Sequence, residues 1–271
     1  MHKVILGILM FFTIHLSYSD QKIYGFKMPE SVAEGPDGSV YVSEIGVRDI
    51  DKDGKITKID KNGNVTILAE GLYDPKGIVF YKEKLYVTDR DVVLEVRMDG
   101  TWEVYTSTMA FPKTPVFLND IGVSKNGDLY VTDTGNFESS GLIFLVKKSG
   151  EVSVLFEGDI HIKAPNGILP ISDTLLLIAD WGGDLLEANL KTKKIKKIAG
   201  GFDGGDGLAY ANGIIYISSW KEGILYSYYN QKTTIINEKF EAAADIALSL
   251  DNKTLIVPDM KAGTISFIQI N

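Results

Sequence analysis

Polar side chains recur at one fixed position ahead of a repeated acidic residue. A short apolar sequence motif, or phrase, recurs along the chain, for example as GDLYVTD and KTLIVPD. A weaker copy of this phrase, GIIYISS, ends in Ser219. The acidic residues that end the other phrases are Glu44, Asp89, Asp133, Asp180 and Asp259. Counting back fourteen residues, or thirteen where the turn inside the phrase is one residue shorter, reaches Glu30, Lys76, Asn119, Asn166, Asp206 and Asp245. Carboxylate and amide oxygens are ligands that suit Ca²⁺, so this column of residues indicates a cation site.

The charge of the column also favours a bound cation. Three carboxylates and the ammonium of Lys76 leave a net charge of -2 (-3 + 1), and burying that charge is unfavourable without a counter-ion. Zinc is disfavoured, because His161 is the single histidine beyond residue 19. In the alternative interpretation, the six residues hydrogen-bond one another and trapped water, with Lys76 supplying the positive charge. The sequence leaves both interpretations open.

The elements that carry these residues are predicted to be strands. Short runs rich in Val, Ile, Leu and Tyr alternate with Gly, Asn and Asp turns, and no stretch shows sustained helical periodicity. The phrases repeat about every 40 residues, and each unit has room for four antiparallel strands. We therefore predict an all-β fold, a six-bladed β-propeller in which the polar column opens each innermost strand and converges on the axis. The repeated acids recur too regularly to be catalytic and are predicted to cap the loop backbone.

The two ends of the chain are predicted to meet in one blade. Residues 245–271 leave room for only three strands, while residues 22–26 form an extended segment ahead of the first full unit. We expect this N-terminal strand to complete the sixth blade and remove a free sheet edge. Residues 20–271 then form a single domain.

Residues 1–19 have the pattern of a signal peptide. Lys3 precedes the apolar run from Val4 to Leu16, and Ser17 and Ser19 are small residues at the two positions that a signal peptidase recognises. A retained membrane anchor is the alternative, but the run is shorter than the roughly 20 residues needed to span a bilayer. We expect a secreted or periplasmic protein with no membrane association after cleavage.

Composition excludes several kinds of function. The chain has no cysteine, which rules out disulfides, a thiol nucleophile and zinc-thiolate sites. The net charge of -8 becomes -9 (-8 - 1) when Lys3 is removed, so nucleic acid and anionic lipid would be repelled. A small molecule is the expected partner, and we expect a monomer.

Four short segments resemble one known family. They are Pro29-Glu30-Ser31, Phe117-Leu118-Asn119-Asp120-Ile121, Ala164-Pro165-Asn166-Gly167-Ile168 and Gly205-Asp206-Gly207-Leu208. From about residue 29 to the C-terminus, the chain resembles the senescence-marker-protein/gluconolactonase/luciferin-regenerating-enzyme family, and more distantly the paraoxonases. The resemblance implies a divalent metal held by Glu30, Asn119, Asn166 and Asp206. That metal is Ca²⁺, or another divalent cation such as Mn²⁺, Mg²⁺ or Zn²⁺.

The resemblance implies hydrolysis of a lactone or a similar ester. Asp206 would act as base or nucleophile, and Lys76, which departs from the family pattern, would orient a substrate carboxylate or stabilise an anionic intermediate. A non-catalytic propeller that binds a ligand or a protein is the alternative. His161, Trp181 and Trp220 are predicted in loops on the same face, the tryptophans either as pocket walls or as packing between blades.

Two local alternatives remain open. Glu34 lies in a Glu-Gly-Pro segment that looks like a first-blade motif of the family, but the spacing of Glu30 from the phrase end favours Glu30 as the ligand. A second cation site is conceivable in the loop from Asp49 to Gly54, with Asp60 at its twelfth position.

Overall fold

The computed structural model describes residues 21–158, 160–237 and 239–270, so the predicted signal peptide lies outside the described residues. Strands of the first three blades and the start of the chain are β1 (Gln21–Tyr24), β2 (Pro29–Glu34), β3 (Val40–Glu44), β4 (Gly54–Ile59), β5 (Val65–Leu72), β6 (Pro75–Tyr81), β7 (Lys84–Asp89), β8 (Val92–Arg97), β9 (Trp102–Thr106), β10 (Leu118–Val123), β11 (Leu129–Asp133), β12 (Leu142–Val146) and β13 (Val152–Glu157). Those of the remaining blades are β14 (Pro165–Ser172), β15 (Leu175–Asp180), β16 (Asp184–Asn189), β17 (Ile195–Gly200), β18 (Gly205–Ala211), β19 (Ile214–Ser219), β20 (Ile224–Tyr229), β21 (Lys232–Asn237), β22 (Ala247–Leu248), β23 (Thr254–Asp259) and β24 (Thr264–Gln269).

These strands form six antiparallel four-stranded sheets, which confirms the predicted six-bladed propeller. The innermost strands β2, β6, β10, β14, β18 and β22 contact one another in turn, and β22 contacts β2 again, so the ring is closed. One short 3-10 helix, Thr108–Ala110, precedes β10. Within the described part of the chain, no helix has the length and apolar character needed to cross a bilayer.

The N-terminal strand completes the sixth blade as predicted. Strand β1 pairs with β24 in a register that runs from Gln21 opposite Phe267 to Tyr24 opposite Thr264. On the inner side of the same blade, the backbone N–H of Asp245 donates to the carbonyl oxygen of Glu30 at 2.9 Å. Strand β1 therefore covers the outer edge of the sixth blade, and a backbone hydrogen bond joins that blade to the first blade on the inner side.

The hydrophobic core lies between neighbouring blades. Between blades 1 and 2, for example, Ile56 and Tyr41 pack with Leu85, and the rings of Tyr41 and Phe80 are 5.0 Å apart at an edge-to-face angle. Each fully buried side chain of this size stabilises the fold by about 1.5–3 kcal/mol. Because the apolar contacts are made between the sheets, the axis is left free for polar residues.

The repeated acids cap the loops that lead into the inner strands, as the sequence predicts. The carboxylate of Asp89 accepts backbone hydrogen bonds from Tyr73 at 3.0 Å and Asp74 at 2.6 Å. Asp133 accepts equivalent bonds from Val116 and Phe117, both at 2.8 Å. In each case the acid fixes the backbone just before the polar axial residue. The regularity of the acids therefore reflects the construction of the blade.

A β-bulge at the start of the inner strand places two residues per blade at the axis. In blade 2, Pro75 pairs with Asp89 and Ile78 with Val87, so two residues lie opposite Thr88. The pairing register shifts in the same way in blades 1, 3, 4 and 5. In each of them the shift comes directly after the inner-strand residue that pairs with the last residue of the repeated phrase. A bulge turns an extra side chain out of the regular alternation. The axis is consequently lined by two layers of residues.

Candidate metal centre on the propeller axis

The first layer consists of the first residue of each bulge. Its members are Glu30, Lys76, Asn119, Asn166, Asp206 and, in blade 6, Ala244. In blade 6, Ala243 forms the β-bridge to Asp259. The first residue after this pair is therefore Ala244, and the prediction that Asp245 occupies this position is wrong. Six residues (249–254) separate the last paired residues of the β22–β23 hairpin, Leu248 and Leu255, whereas five separate the last paired residues in blades 1 and 3. The fourteen-residue spacing therefore does not hold in blade 6.

The second layer consists of the next residue in each blade. Its members are Ser31, Gly77, Asp120, Gly167, Gly207 and Asp245. The glycines are required by close contact between inner strands, since a Cβ at Gly167 would lie 2.0 Å from the carbonyl oxygen of Asp206. A Cβ at Gly207 would lie 2.5 Å from Oδ1 of Asp245. Around the second layer, two small residues precede each buried carboxylate.

Four buried oxygens of the first layer have no hydrogen-bond partner among the described residues. They are Oε2 of Glu30, Oδ1 of Asn119, Oδ1 of Asn166 and Oδ1 of Asp206. The amide nitrogen of Asn119 donates to Oγ1 of Thr134 at 3.0 Å, which leaves its oxygen for another partner. Buried polar atoms without partners are rare and unfavourable in folded proteins. Two carboxylates and two amide oxygens are a donor set that fits a hard divalent cation such as Ca²⁺.

The unpartnered oxygens belong to the same four residues that the family resemblance implies as ligands. Three other unpartnered oxygens in the described chain, those of Asp53, Thr264 and Ser266, belong to a loop and to β24. Counting only His, Cys, Asp and Glu, no group of three or more in the described chain has the arrangement of a metal site. The first layer contains just two such residues, and the amides supply its remaining oxygens.

The buried carboxylates of the axis influence one another's pKa values. The pKa of Glu30 is raised well above its usual value by burial and by the negative charge of Asp206, with Lys76 opposing the shift. Burial and the charges of Asp245 and Asp120 raise the pKa of Asp206. Burial also raises the pKa of Asp120 to about 6. Four carboxylates thus share the axis with one ammonium group, a formal charge of -3 (-4 + 1).

The ammonium of Lys76 forms no ion pair with the carboxylates of the first layer. Its Nζ donates to the carbonyl oxygen of Asp74 at 3.2 Å and lies 4.5 Å from the centre of the Phe117 ring. Within the described chain, no carboxylate oxygen is within 4.0 Å of this Nζ atom. Burial lowers the pKa of Lys76, while Glu30 opposes that shift. Lys76 therefore forms part of the wall of a neighbouring cavity.

That cavity, of about 430 Å³, opens beside Lys76 on the face that carries the first layer. Arg48, Asp74, Arg90 and Phe117 are among its other lining residues. Its volume is within the range of small-molecule binding sites. Lys76 is the first-layer residue among its described lining residues, which do not include the four candidate metal ligands.

The two tryptophans and the histidine that were predicted in loops lie in different surroundings. Phe137, Trp181 and Trp220 form a row of aromatic rings, with 5.5 Å between the first two centroids and 5.8 Å between the tryptophans. Phe117 extends this row at 4.8 Å from Phe137, so the row begins at the cavity wall although neither tryptophan lines the cavity. His161 is half-buried in the loop before β14 and does not line the cavity.

The two local alternatives are also located by the structure. Glu34 lies at the opposite end of β2 from Glu30, and its Oε2 accepts the backbone N–H of Leu250 at 2.6 Å. Asp60 accepts the backbone N–H groups of Asn62 and Asn64 at 2.8 and 2.9 Å. Its carboxylate is therefore used within its own turn.

The sequence matches no protein-family model and no curated protein. Solved structures match over most of the chain. A gluconolactonase from Xanthomonas campestris superposes with a TM-score of 0.77 and 13% identity, covering 93% of this chain and 90% of the other. A structural-genomics protein provisionally described as a gluconolactonase gives 0.74 and 15%, covering 94% and 93%. The chain has the fold of these gluconolactonase-type propellers. A chain from a nidogen/laminin complex also matches, at 0.65 and 19%, over 77% and 79%.

Sequence reasoning missed several members of the site. Asp120 and Ser31, in the second layer, were not singled out, and neither were Arg48 and Phe117 at the cavity. A signal for the second layer was present, because glycine follows the axial polar residue in blades 2, 4 and 5. No comparable pattern marks Arg48, which lies in an irregular loop.

Proposed function

We propose that the protein is a divalent-metal-dependent hydrolase that opens a lactone or a similar ester. The observation that carries the proposal is the set of four buried, unpartnered oxygens on Glu30, Asn119, Asn166 and Asp206. The gluconolactonase-type fold supports the same reaction class, although a fold by itself does not define a function. The neighbouring cavity supplies room for a small substrate.

The chemistry divides between the cation and the side chains of the chain. A Ca²⁺ ion held by the four oxygens, or Mn²⁺, Mg²⁺ or Zn²⁺ in its place, would polarise the ester carbonyl. Asp206 accepts the proton of the attacking water, or attacks the carbonyl carbon itself. With water as nucleophile, its oxygen bonds to the carbonyl carbon, the ring C–O bond breaks and the leaving oxygen takes up a proton. The product is a hydroxy acid.

Acid release from a panel of lactones tests this function. With a pH indicator, we expect hydrolysis that requires added Ca²⁺ and stops when a chelator is added. Asn166→Leu, which removes one of the four oxygens, should abolish most of the activity. Glu34→Gln changes a carboxylate at the opposite end of β2 from Glu30 and should leave the activity unchanged. Equal hydrolysis with and without divalent cations would contradict the proposal.

The second candidate is a propeller that binds a ligand or a protein partner without catalysis. The observation in its favour is that a propeller from a nidogen/laminin complex shares the fold. Metal binding with no acid release from any lactone would favour this candidate. We also propose that the protein is exported, by cleavage after residue 19, and N-terminal sequencing of the secreted form tests that step.

A further inference from the structure

The cavity beside Lys76 has three cationic side chains in its wall, together with the aspartates Asp49, Asp74 and Asp91. Arg48 is exposed in the loop after β3, Lys76 is buried at the start of β6, and Arg90 follows β7. Arg48 and Lys76 both act electrostatically on Glu30. Both cations therefore favour the charged form of Glu30, one of the candidate metal ligands.

Arg90 is already neutralised by its neighbours. Its Nε lies 2.7 Å from Oδ2 of Asp74, and its Nη1 lies 2.8 Å from Oδ1 of Asp51. The other oxygen of Asp74 accepts the backbone N–H of Asp49 at 3.1 Å. A bound anion would have to compete with both carboxylates for this guanidinium. Arg90 is therefore a structural part of the cavity wall.

Lys76 has hydrogen-bonding capacity that the protein does not use. A lysine ammonium has three donors, and among the described residues Nζ forms one hydrogen bond, to the carbonyl oxygen of Asp74. The Phe117 ring covers another side of the group at 4.5 Å. For Arg48, likewise, the described chain supplies no carboxylate oxygen within 4.0 Å. A small anionic group in the cavity would satisfy both cations.

We propose that the ligand of this cavity carries a carboxylate, bound by Nζ of Lys76 with Arg48 as a second contact. Combined with the proposed function, on which this part rests, the substrate class is a lactone with a carboxylate on its ring. The carbonyl group lies towards Glu30 and Asp206, and the carboxylate lies towards Lys76. Lys76 is then a specificity residue that orients the substrate.

Two matched γ-lactones test the proposal. They share one ring and differ only in a carboxylate or a hydroxymethyl group on the γ carbon. We expect the wild-type protein to prefer the carboxylated lactone, measured as the ratio of the two kcat/KM values. Lys76→Met should lower that ratio by about 10- to 100-fold, the effect of losing a charge-assisted hydrogen bond. Arg48→Gln should lower it by a smaller factor.

Lys261→Met is the matched control. Lys261 also lies over an aromatic ring, that of Trp220, at 4.2 Å, but it does not line the cavity. The ratio should be unchanged in this variant. An unchanged ratio in Lys76→Met, or no preference in the wild-type protein, would overturn the proposal. Arg48 is exposed, so its variant provides the test even if Lys76→Met unfolds.

A binding experiment separates this inference from the proposed function. If neither lactone is hydrolysed, the hydrolase proposal fails, and tetrahydrofuran-2-carboxylate then serves as a probe that keeps the ring and the carboxylate. Calorimetry in the presence of Ca²⁺ should detect binding to the wild-type protein and binding about 10- to 100-fold weaker in Lys76→Met. Absence of binding, or equal affinity in the two proteins, would contradict a carboxylate site at Lys76.

Discussion

Both layers of the axis contain buried carboxylates, but the layers differ in how the oxygens of those carboxylates are satisfied. In the second layer, the two oxygens of Asp120 accept the backbone N–H groups of Ile121 and Ile168, each at 2.6 Å. Oδ2 of Asp245 accepts the hydroxyl of Ser31. In the first layer, each of the four candidate ligands has a buried oxygen without a partner among the described residues. Donors from the chain therefore satisfy the oxygens of one layer, whereas four oxygens of the other layer have no donor among the described residues.

This difference shows that burial of acids does not by itself identify a metal site. All four axial carboxylates are buried and have raised pKa values. Among the axial residues that the structure describes, it is Glu30 and Asp206 of the first layer that have a buried carboxylate oxygen without a donor. The second layer holds the inner strands together beneath them.

The largest expected effect follows from Asp206→Asn. The change removes a candidate base and one charge of the metal site while keeping the size of the side chain. We expect kcat/KM for lactone hydrolysis to fall by about 100- to 10,000-fold, with a melting temperature close to that of the wild-type protein without metal. Full activity in this variant would refute the role of Asp206.

Gly167→Ala should disturb both layers through the backbone. Its Cβ would lie 2.0 Å from the carbonyl oxygen of Asp206, so an inner strand must move. We expect the free energy of unfolding to fall by about 3 kcal/mol, measured by denaturant titration. At Gly200 on the outer strand β17, the nearest atoms are the end of the Lys197 side chain, which can move away. Gly200→Ala should therefore change stability by less than about 0.5 kcal/mol, and an equal loss in both variants would contradict the close contact at the axis.

The smallest of these effects is the pH dependence of the metal-free protein. Burial raises the pKa of Asp120 from 3.8 to about 6, so the native state binds its proton more tightly than the unfolded state does. Stability therefore falls as pH rises from about 4 to about 6. Between pH 7 and pH 5 we expect the free energy of unfolding to increase by about 1 kcal/mol, detectable as a higher melting temperature. A lower melting temperature at pH 5 than at pH 7 would contradict the raised pKa of Asp120.

The blades could be predicted because their signals are local. Each phrase such as GDLYVTD combines an apolar strand with an acid that caps a nearby loop, and the hydrogen bonds of Asp133 to Val116 and Phe117 give the physical reason for the repeat. The closure by β1 also followed from counting strands. These features depend on short stretches of sequence.

The layers could be predicted only in part, because they depend on turn lengths and bulges. Blade 6 has a six-residue turn, so Ala244 occupies the position that spacing assigned to Asp245. The bulge brings Asp120 to the axis beside Asn119, and a bulge is set by contacts with neighbouring strands. Arg48 reaches the cavity from a loop whose course has no periodic pattern.

Calorimetric titration with Ca²⁺ tests the central claim most directly. We predict one Ca²⁺ per chain in the wild-type protein, unchanged affinity in Glu34→Gln, and affinity at least about 100-fold weaker in Asn166→Leu. Because Asn166→Leu removes an unpartnered buried oxygen, it should not lower stability in the absence of metal. No Ca²⁺ binding by the wild-type protein, or equal affinity in Asn166→Leu, would contradict the proposal that the first layer is a metal site.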